Sequence, residues 1–468
     1  MSRRIRGFRW AILATVVGAA CCGAGVASAD AQSWDREVVG AAVDSIANAV
    51  VGPNGVAGMS VAVARGADLL LVERYGWADA DARVATPAAA VYEIGSLTKQ
   101  FTAVAILRLA EEGRLSLDDE LWQHLPAYQG AARQVRIGHL LSHTAGVPDF
   151  SELPGFPAVV AAGATRKAIV DLFATEPLLF TPGEAMIYSN SGYVLLGLVI
   201  EAVTGIDYGE HVRRAVLEPA GMLSSGYCSP DPRSPRRVLG HGFAANGRML
   251  PTEPLDHSWP FAAGSLCSTA VDLLAWNRAI HQDGMLSDSA HRLLTRPGRL
   301  SDGTPLRYGA GLMVDSILGR PALHHGGSIP GFRSFLAYFP EDSLGIAVLL
   351  NTAGPVSPNA IGRQIAETLY GPAIPHSEPL DRQARDFVGE YRSSGRDGTR
   401  VVTVDRGPAG ELTVTIDGRR PELLRYLGAN RFAARDVRLT FLDDRPAPRL
   451  VRFDEVAENV LLTRVVGR

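Results

Sequence analysis

Strand patterns at both ends of residues 34–370 enclose a long run of helical patterns, and this order limits the folds open to the chain. Strands from both ends that flank a helical middle predict an α/β (α+β) domain. In it, an antiparallel sheet is flanked by helices and joined by a helical subdomain. The predicted elements are a helix over 34–51, strands over 56–64 and 68–74, helices over 96–112, 136–143, 167–175, 191–204, 207–218, 269–281 and 286–295, strands over 308–314, 333–339 and 345–351, and a helix over 358–370.

The periodicity changes after a proline-containing segment, 371–385, that we interpret as a linker. Residues 386–468 hold short strand patterns separated by turn residues, which predict a small all-β meander with a barrel-like form. This segment contains neither histidine nor cysteine, so we expect no catalytic residue in it. The main domain is therefore assigned to residues 30–370.

The N-terminal residues have the pattern of a signal peptide. Arginines precede an apolar stretch over 10–20, and small residues typical of a cleavage site come before Asp30. We assign residues 1–29 to a signal peptide and expect an exported protein, either periplasmic or secreted. Cys21 or Cys22 is an alternative lipid-attachment site, although the leucine that usually precedes such a cysteine is missing.

Charge and hydropathy disfavour a nucleic-acid partner and a membrane-spanning segment. The formal net charge is −3 and no basic run occurs after the leader, which disfavours a nucleic-acid-binding protein. Beyond the leader, no apolar segment reaches the length of a membrane span.

Cys228 and Cys267 remain after cleavage and could pair in an oxidising compartment, but the sequence leaves that pairing open.

A serine and a lysine lie three residues apart at the start of an apolar helical pattern. The chain has 44 arginines and two lysines, and one of these lysines is Lys99. Residues i and i+3 share a helix face, so Ser96 and Lys99 can meet. The positive end of the helix dipole favours a developing oxyanion at Ser96. The pair therefore predicts a nucleophile with an adjacent base. The alternative is a capping serine beside a solvated lysine.

Two further motifs follow in order along the chain. Tyr188-Ser189-Asn190 enters the apolar helical run 193–203, and a segment with two glycines, from His324 to Phe332, leads into a predicted strand. Ser-x-x-Lys, Tyr-Ser-Asn and a Gly-Gly strand in this order resemble the serine β-lactamase and penicillin-binding-protein family, and most of all its class C and D-aminopeptidase/esterase branch. The segments Leu140-Leu141-Ser142-His143-Thr144-Ala145-Gly146-Val147-Pro148 and Leu195-Leu196-Gly197 are also similar to that branch.

The resemblance covers about residues 35–370 and implies a role for each matching residue. Ser96 corresponds to the acylated nucleophile and Lys99 to its base, while Tyr188 would share their protons and assist the deacylating water. Asn190 would bind Lys99 and the substrate amide. The backbone N–H groups of Ser96 and Ser328 would form the oxyanion hole. The terminal meander resembles the lipocalin-like appendages of some members.

The third motif departs from the penicillin-recognising pattern. Those members usually carry Lys-Thr-Gly, whereas this chain has His325, Gly326 and Gly327 at the matching positions. A histidine there would carry a charge that depends on pH, because imidazole titrates near pH 6.5. The alternative for His325 is a ring satisfied by a backbone partner. His-x-Gly is similar to the D-aminopeptidase branch, so the departure shifts the expectation away from β-lactamase activity.

These observations predict an exported serine hydrolase that acts through an acyl-enzyme on a small-molecule, peptide or ester substrate, including bonds to D-amino acids. The alternatives are a β-lactamase or D-Ala-D-Ala carboxypeptidase, or a hydrolase-like protein that binds cell-wall peptides or a partner without turnover.

No cofactor is expected. His139 and His143 have the spacing of metal ligands, but no His-Glu-x-x-His motif contains them, so no metal is expected. Deletion of 380–468 is expected to leave the chemistry of Ser96 intact.

Overall fold

The central sheet pairs a strand from the start of the main domain with strands from its end. The computed structural model describes residues 34–228, 236–372, 384–395, 398–407, 410–435, 437–442, 448–455 and 458–465. Among these residues, seven antiparallel strands form the sheet in the order Met313–Ile317, Arg320–Ile329, Phe332–Phe339, Leu344–Leu350, Gly58–Arg65, Asp68–Asp79 and Val84–Ala85.

The two strands at the middle of this sheet explain why the ends of the domain meet. Gly58–Arg65 pairs with Leu344–Leu350, and Val61 lies opposite Val348. Both strands are almost entirely buried, which matches their continuous apolar sequences. The helix Ala270–His281 packs against both of them. The antiparallel sheet covered by helices that the sequence predicts is therefore confirmed.

A helical region lies between the two groups of strands in the chain. Its helices include Asn190–Thr204, which begins after the capping side chain of Ser189 and ends at Gly205, a residue with φ +70°. The predicted helix 207–218 is an α-helix over Tyr208–Val212 that continues as a π-helix over Arg213–Leu217. The other α-helices of the main domain are Arg36–Val50, Thr98–Glu111, Leu121–His124, Ile137–Leu141, Phe156–Ala161, Arg166–Ala174, Phe261–Gly264, Ala270–His281, Asp288–Thr295 and Pro358–Tyr370.

Short strands and a disulfide connect the helical region to the sheet. Tyr92–Glu93, Leu266–Ser268 and Gly226–Tyr227 form a small sheet, and His241–Phe243 pairs with Met249–Pro251. Cys228 and Cys267 are joined by a disulfide, which resolves the pairing that the sequence leaves open.

The C-terminal residues form a nearly closed barrel-like sheet. Its first and last strands are neighbours in the chain, separated only by Leu424, so the sheet curls back on itself. The strand order among the described residues is Glu422–Leu423, Leu412–Ile416, Gly398–Arg406, Gly389–Gly395, Glu458–Arg464, Leu450–Glu455, Val437–Phe441, Arg431–Ala434 and Arg425–Tyr426. We call this sheet the β-domain. The predicted fold class, including its small barrel-like domain, is confirmed.

Some predictions differ from the structure or fall outside it. The strand Arg320–Ile329 is not among the strands predicted from the sequence patterns, and only the resemblance to the family places a Gly-Gly strand there. The predicted signal peptide, with Cys21 and Cys22, lies outside the described residues, as does 373–383 of the predicted linker. In the described part of the chain, no single helix is both long and apolar enough to cross a membrane; the bent pair Asn190–Thr204 and Tyr208–Leu217 meets that test only when taken together.

Candidate active site

Ser96 lies in a tight turn that leads into the first long helix of the main domain. Gly95–Leu97 is a 3-10 turn, and the α-helix Thr98–Glu111 continues from it. Gly95 has φ +53°, a conformation that favours glycine, and this lets the chain turn sharply before the serine. Ser96 is partly exposed, whereas its neighbours Gly95 and Leu97 are buried. A substrate can therefore reach the Ser96 hydroxyl at the start of this helix.

Lys99 is fully buried and directed at Ser96. Its Nζ lies 3.2 Å from Ser96 Oγ, and it donates hydrogen bonds of 2.8 Å to Asn190 Oδ1 and of 2.8 Å to the carbonyl oxygen of Ala263. The alternative reading of Lys99 as a solvated side chain is therefore wrong. A neutral amine has two N–H groups and one lone pair. In its neutral form, Lys99 can therefore accept the proton of the Ser96 hydroxyl, whose oxygen lies 3.2 Å from Nζ.

The carbonyl of Ala263 reaches Lys99 because the short helix Phe261–Gly264 packs very closely on the helix Asn190–Thr204. A Cβ added to Gly197 would lie 2.4 Å from Ala262 Cβ and 2.5 Å from a ring carbon of Phe261. Only glycine allows this approach without a shift of the neighbouring helix. The Thr102 hydroxyl fixes the same helix by donating to the Ala262 carbonyl at 2.7 Å.

Asn190 is held by a carboxylate that the sequence analysis did not single out. Asp149 Oδ2 accepts hydrogen bonds from the backbone N of Asn190 at 2.9 Å and from its Nδ2 at 2.8 Å. Asp149 is buried, and its other oxygen accepts from the backbone N and the hydroxyl of Ser151. This arrangement leaves Asn190 Oδ1 to face Lys99.

Tyr188 belongs to a group of aromatic rings around Lys99. Lys99 Nζ lies 4.8 Å from the ring centroid of Tyr188 and 5.4 Å from that of Tyr193. The imidazole of His143 packs on Tyr188 with the ring centroids 4.2 Å apart, and His143 Nδ1 accepts a hydrogen bond from the backbone N of Ser189 at 3.1 Å. His143 therefore positions Tyr188 and the residue that follows it.

The strand Arg320–Ile329 brings the third motif against the turn that holds Ser96. A Cβ on Gly327 would lie 2.1 Å from the Ile94 carbonyl oxygen, and a Cβ on Gly95 would lie 3.0 Å from the backbone N of Ser328. The two backbones are thus in direct contact, which only glycine at these positions allows. This contact brings the Ser328 backbone next to Ser96, as an oxyanion hole made of their N–H groups requires.

His325 differs from the expected histidine with a pH-dependent charge. Its ring is buried, with Nδ1 2.5 Å from the Gly326 carbonyl oxygen and Nε2 3.1 Å from the hydroxyl of Tyr308. Burial lowers the pKa of His325 to about 3, and Lys99 adds to this effect in its protonated form. The expectation that this imidazole titrates near pH 6.5 is therefore wrong, and the ring is neutral at working pH. The alternative interpretation agrees with the structure, because the His325 ring forms a hydrogen bond with the backbone carbonyl of Gly326.

The structure thus brings Ser96, Lys99, Tyr188 and Asn190 together and sets Gly327 and Ser328 beside them. Sequence reasoning missed three groups of this site. Tyr308 gave no sequence signal, and His143 entered only as a metal-ligand candidate and as part of the family-like segment 140–148, without a role beside Tyr188. Asp149 directly follows the segment 140–148 that resembles the family, so extending that segment by one residue would have found it. Among the described residues, no group of three or more His, Cys, Asp or Glu side chains is arranged as metal ligands.

Comparison with known proteins finds relatives of this chain both in sequence and in structure. A sequence profile of the family described as Beta-lactamase matches residues 43–370. A penicillin-binding protein of Bacillus subtilis is 30% identical over 374 residues, which cover 74% of this chain and 81% of that protein. Protein flp of Staphylococcus aureus is 27% identical over 315 residues, which cover 65% of this chain and 62% of that protein. The crystal structure of a D-stereospecific amidohydrolase from a Streptomyces species superposes with a TM-score of 0.60 at 28% identity, covering 72% of this chain and 99% of that one.

Proposed function

The chain belongs to the beta-lactamase family and is a serine hydrolase, and we propose that it is exported and hydrolyses amide bonds of D-amino acids or simple ester bonds through an acyl-enzyme. The observation that carries this proposal is the set of contacts around Lys99. Lys99 Nζ lies 3.2 Å from the hydroxyl of Ser96, while Asn190 Oδ1 and the Ala263 carbonyl oxygen, both at 2.8 Å, hold it in this position. This is the geometry of a general base next to its nucleophile.

In the proposed acylation step, Ser96 Oγ attacks the substrate carbonyl carbon and its proton passes to Lys99. The carbonyl oxygen becomes an oxyanion, which the backbone N–H groups of Ser96 and Ser328 stabilise. Collapse of the tetrahedral intermediate forms the ester to Ser96, and the leaving amine or alcohol takes the proton. The ring of Tyr188 lies beside Lys99, with its centroid 4.8 Å from Nζ, and in this proposal its hydroxyl shares in the transfer.

In the proposed deacylation step, a water molecule attacks the ester carbonyl. Tyr188, which is partly buried beside Lys99, would take the proton of this water while it passes its own hydroxyl proton to the neutral Lys99. Lys99 would then give that proton to Ser96 Oγ as the ester bond to the serine breaks. The sum of the two steps is hydrolysis: one water is consumed, and an acid and an amine or alcohol are released. The free serine and the neutral lysine are restored.

The third motif supports amides and esters over β-lactams. The penicillin-recognising pattern places a permanent positive charge at the position of His325, where it can meet a substrate carboxylate. Here the ring is neutral, buried and engaged with Gly326 and Tyr308, so it offers no such charge. The similarity to a D-stereospecific amidohydrolase points to the same substrates. The similarity to a penicillin-binding protein keeps D-Ala-D-Ala carboxypeptidase activity as the second candidate.

The disulfide between Cys228 and Cys267 supports export. Disulfides persist in oxidising compartments and are rare in the cytosol. The signal-peptide pattern of residues 1–29 points the same way. The proposed location is therefore the periplasm or the medium.

A panel of substrates tests the proposal. D-amino acid amides, a D-alanyl dipeptide, short-chain nitrophenyl esters and a chromogenic cephalosporin are compared on the mature protein, with Ser96→Ala as the blank. We expect Ser96-dependent turnover of an amide or ester to exceed that of the cephalosporin in kcat/KM. Preference for the cephalosporin would make the protein a β-lactamase, and an absence of Ser96-dependent turnover on any of these substrates would favour the binding-protein alternative.

A further inference from the structure

The β-domain pairs with the segment of the main domain that carries Tyr188. The short strand Met186–Ile187 is antiparallel to the strand Glu458–Arg464, with Ile187 opposite Glu458 and Met186 opposite Asn459. Tyr188 is the next residue along the chain. The backbone that leads into the Tyr-Ser-Asn motif is therefore part of a β-domain sheet.

Side chains of this short strand divide between two cores, as alternation in a strand requires. Ile187, together with Ala185, is buried in the hydrophobic core of the β-domain. Met186 packs instead into a cluster of the main domain that includes Tyr308 and contacts Tyr188. Each core holds one face of the strand, so the position of the strand depends on both.

The partner strand of the β-domain is itself fixed by a buried ion pair. Glu458 and Arg400 are both buried, and Glu458 Oε2 accepts hydrogen bonds from Arg400 Nε at 3.0 Å and Nη2 at 2.7 Å. A buried carboxylate without its partner is costly, so this pair holds Glu458 in place. The residue opposite Ile187 therefore has little freedom to move.

Two ion pairs join the β-domain to the part of the main domain that faces the site. Arg438 donates at 2.6 Å to Asp315, whose side chain is 5% exposed, and Arg307 of the main domain binds the same carboxylate. Arg452 binds Asp302. The preceding residue, Ser301, donates a hydrogen bond from its backbone N to the Gly183 carbonyl oxygen at 2.9 Å. The loop from Gly183 to Tyr188 thus pairs with the β-domain at its end, and at its start it contacts Ser301, whose neighbour Asp302 is bound by the β-domain.

We infer that the β-domain positions Tyr188, and that Ile187 is the positioning residue through which it acts. This inference rests on the proposed function, since it concerns the step in which Tyr188 takes part. Removing the side chain of Ile187 from the β-domain core frees the strand before Tyr188 and displaces its ring from Lys99. This inference is opposed to the expectation that deletion of 380–468 leaves the chemistry intact, and the experiment below distinguishes the two.

The test compares two substitutions in the same core of the full-length protein. Ile187→Ala and Ile416→Ala each remove the same atoms from the β-domain core, but Ile416 lies on the strand Leu412–Ile416, which does not pair with the main domain. We expect kcat to fall about tenfold or more in Ile187→Ala, because a misplacement of about 1 Å can cost about 100-fold. Ile416→Ala keeps kcat within about twofold, and Ile187→Val, the conservative variant, recovers most of the loss.

Amide hydrogen exchange of residues 182–190 gives a readout that does not depend on turnover. We expect this segment to exchange about tenfold faster in Ile187→Ala than in wild type, and at the wild-type rate in Ile416→Ala. Equal kcat and equal exchange in the two alanine variants would overturn the inference. If Ile187→Ala does not fold, the same comparison is made with Ile187→Val and Ile416→Val. If the wild type shows no Ser96-dependent turnover, the proposed function fails, while the exchange data still decide the positioning role.

Discussion

The carboxylate of Asp149 fixes the orientation of the Asn190 amide. Asp149 Oδ2 accepts from the backbone N of Asn190 at 2.9 Å and from Nδ2 at 2.8 Å, while Asn190 Oδ1 accepts from Lys99 Nζ at 2.8 Å. A carboxylate is an acceptor only, so it can face the nitrogen of the amide but not its oxygen. The buried carboxylate of Asp149 therefore orients the Asn190 amide so that Oδ1, and not Nδ2, contacts Lys99.

We predict that Asp149→Asn impairs catalysis more than stability. A neutral amide at 149 is a weaker acceptor and can present its own N–H groups to Asn190, which then no longer holds one orientation. We expect kcat/KM to fall about tenfold or more, equivalent to about 1.4 kcal/mol of transition-state stabilisation. Steady-state kinetics on the best amide or ester substrate measures it.

Ser151→Ala is the matched control for this prediction. It removes a hydrogen bond to the other oxygen of Asp149, at 2.6 Å, and leaves the contact with Asn190 in place. We expect kcat/KM of Ser151→Ala to stay within about threefold of wild type. An Asp149→Asn enzyme as active as wild type would show that the amide needs no such anchor.

The sequence predicts the fold and the main groups of the site because both depend on local patterns. The strands 58–65 and 344–350 and the helix 190–204 are strongly apolar runs, and Ser96 and Lys99 are separated by a spacing that a helix turn brings together. These features need no knowledge of distant contacts.

Other features could not be predicted, because contacts between distant parts of the chain determine them. The strand Arg320–Ile329 contains two glycines that disfavour a strand, yet Gly327 is needed where the backbone touches Ile94. The pKa of His325 depends on burial that only the fold creates. The pairing of Met186–Ile187 with the β-domain joins residues separated by more than 250 positions.

The two lysines of the chain give opposite predictions. Lys99 is fully buried beside Ser96, so Lys99→Met removes the base while keeping the volume, and we expect kcat/KM to fall roughly 1,000-fold. Lys167 is exposed and pairs with Asp171 at 2.6 Å on the helix Arg166–Ala174. Such surface pairs contribute about 0.5 kcal/mol or less, so Lys167→Met keeps wild-type kinetics. Wild-type activity in Lys99→Met would remove the lysine from the mechanism.

The low pKa of His325 predicts how catalysis responds to pH. The pKa of about 3 in the folded protein lies below the ordinary value of 6.5, so the ring stays neutral between pH 5 and 8. We expect the pH profile of kcat/KM over that range to have the same shape in His325→Gln as in wild type. A limb near pH 6.5 that disappears in the variant would contradict this.

The same shift of the His325 pKa predicts a loss of stability in acid. As pH falls below 6.5, His325 binds a proton in the unfolded chain but stays neutral in the folded protein. The free energy of unfolding that this group contributes above pH 6.5 is therefore lost progressively towards pH 3. Urea unfolding at pH 7.5 and pH 4.5 should show a larger loss for wild type than for His325→Gln. An equal loss in both proteins would mean that His325 does not contribute.

Reduction of the disulfide is expected to destabilise the fold. Cys228 and Cys267 close a loop with a sequence separation of 39. The loop-closure entropy of such a cross-link corresponds to about 4 kcal/mol. Urea unfolding with and without reductant measures the loss, and the Cys228→Ser/Cys267→Ser double variant serves as a reductant-insensitive control. Two titratable thiols in the unreduced mature protein would show that the bond does not form.

The most direct test of the account is the mass of the acyl-enzyme. The mature wild-type protein is mixed with a slowly released ester or a fluorophosphonate probe, and the intact protein and its peptides are weighed by mass spectrometry. The account predicts one adduct per chain, carried by Ser96, and no adduct in Ser96→Ala. An adduct on another residue, or equal labelling of Ser96→Ala, would contradict the central claim that Ser96 is the nucleophile.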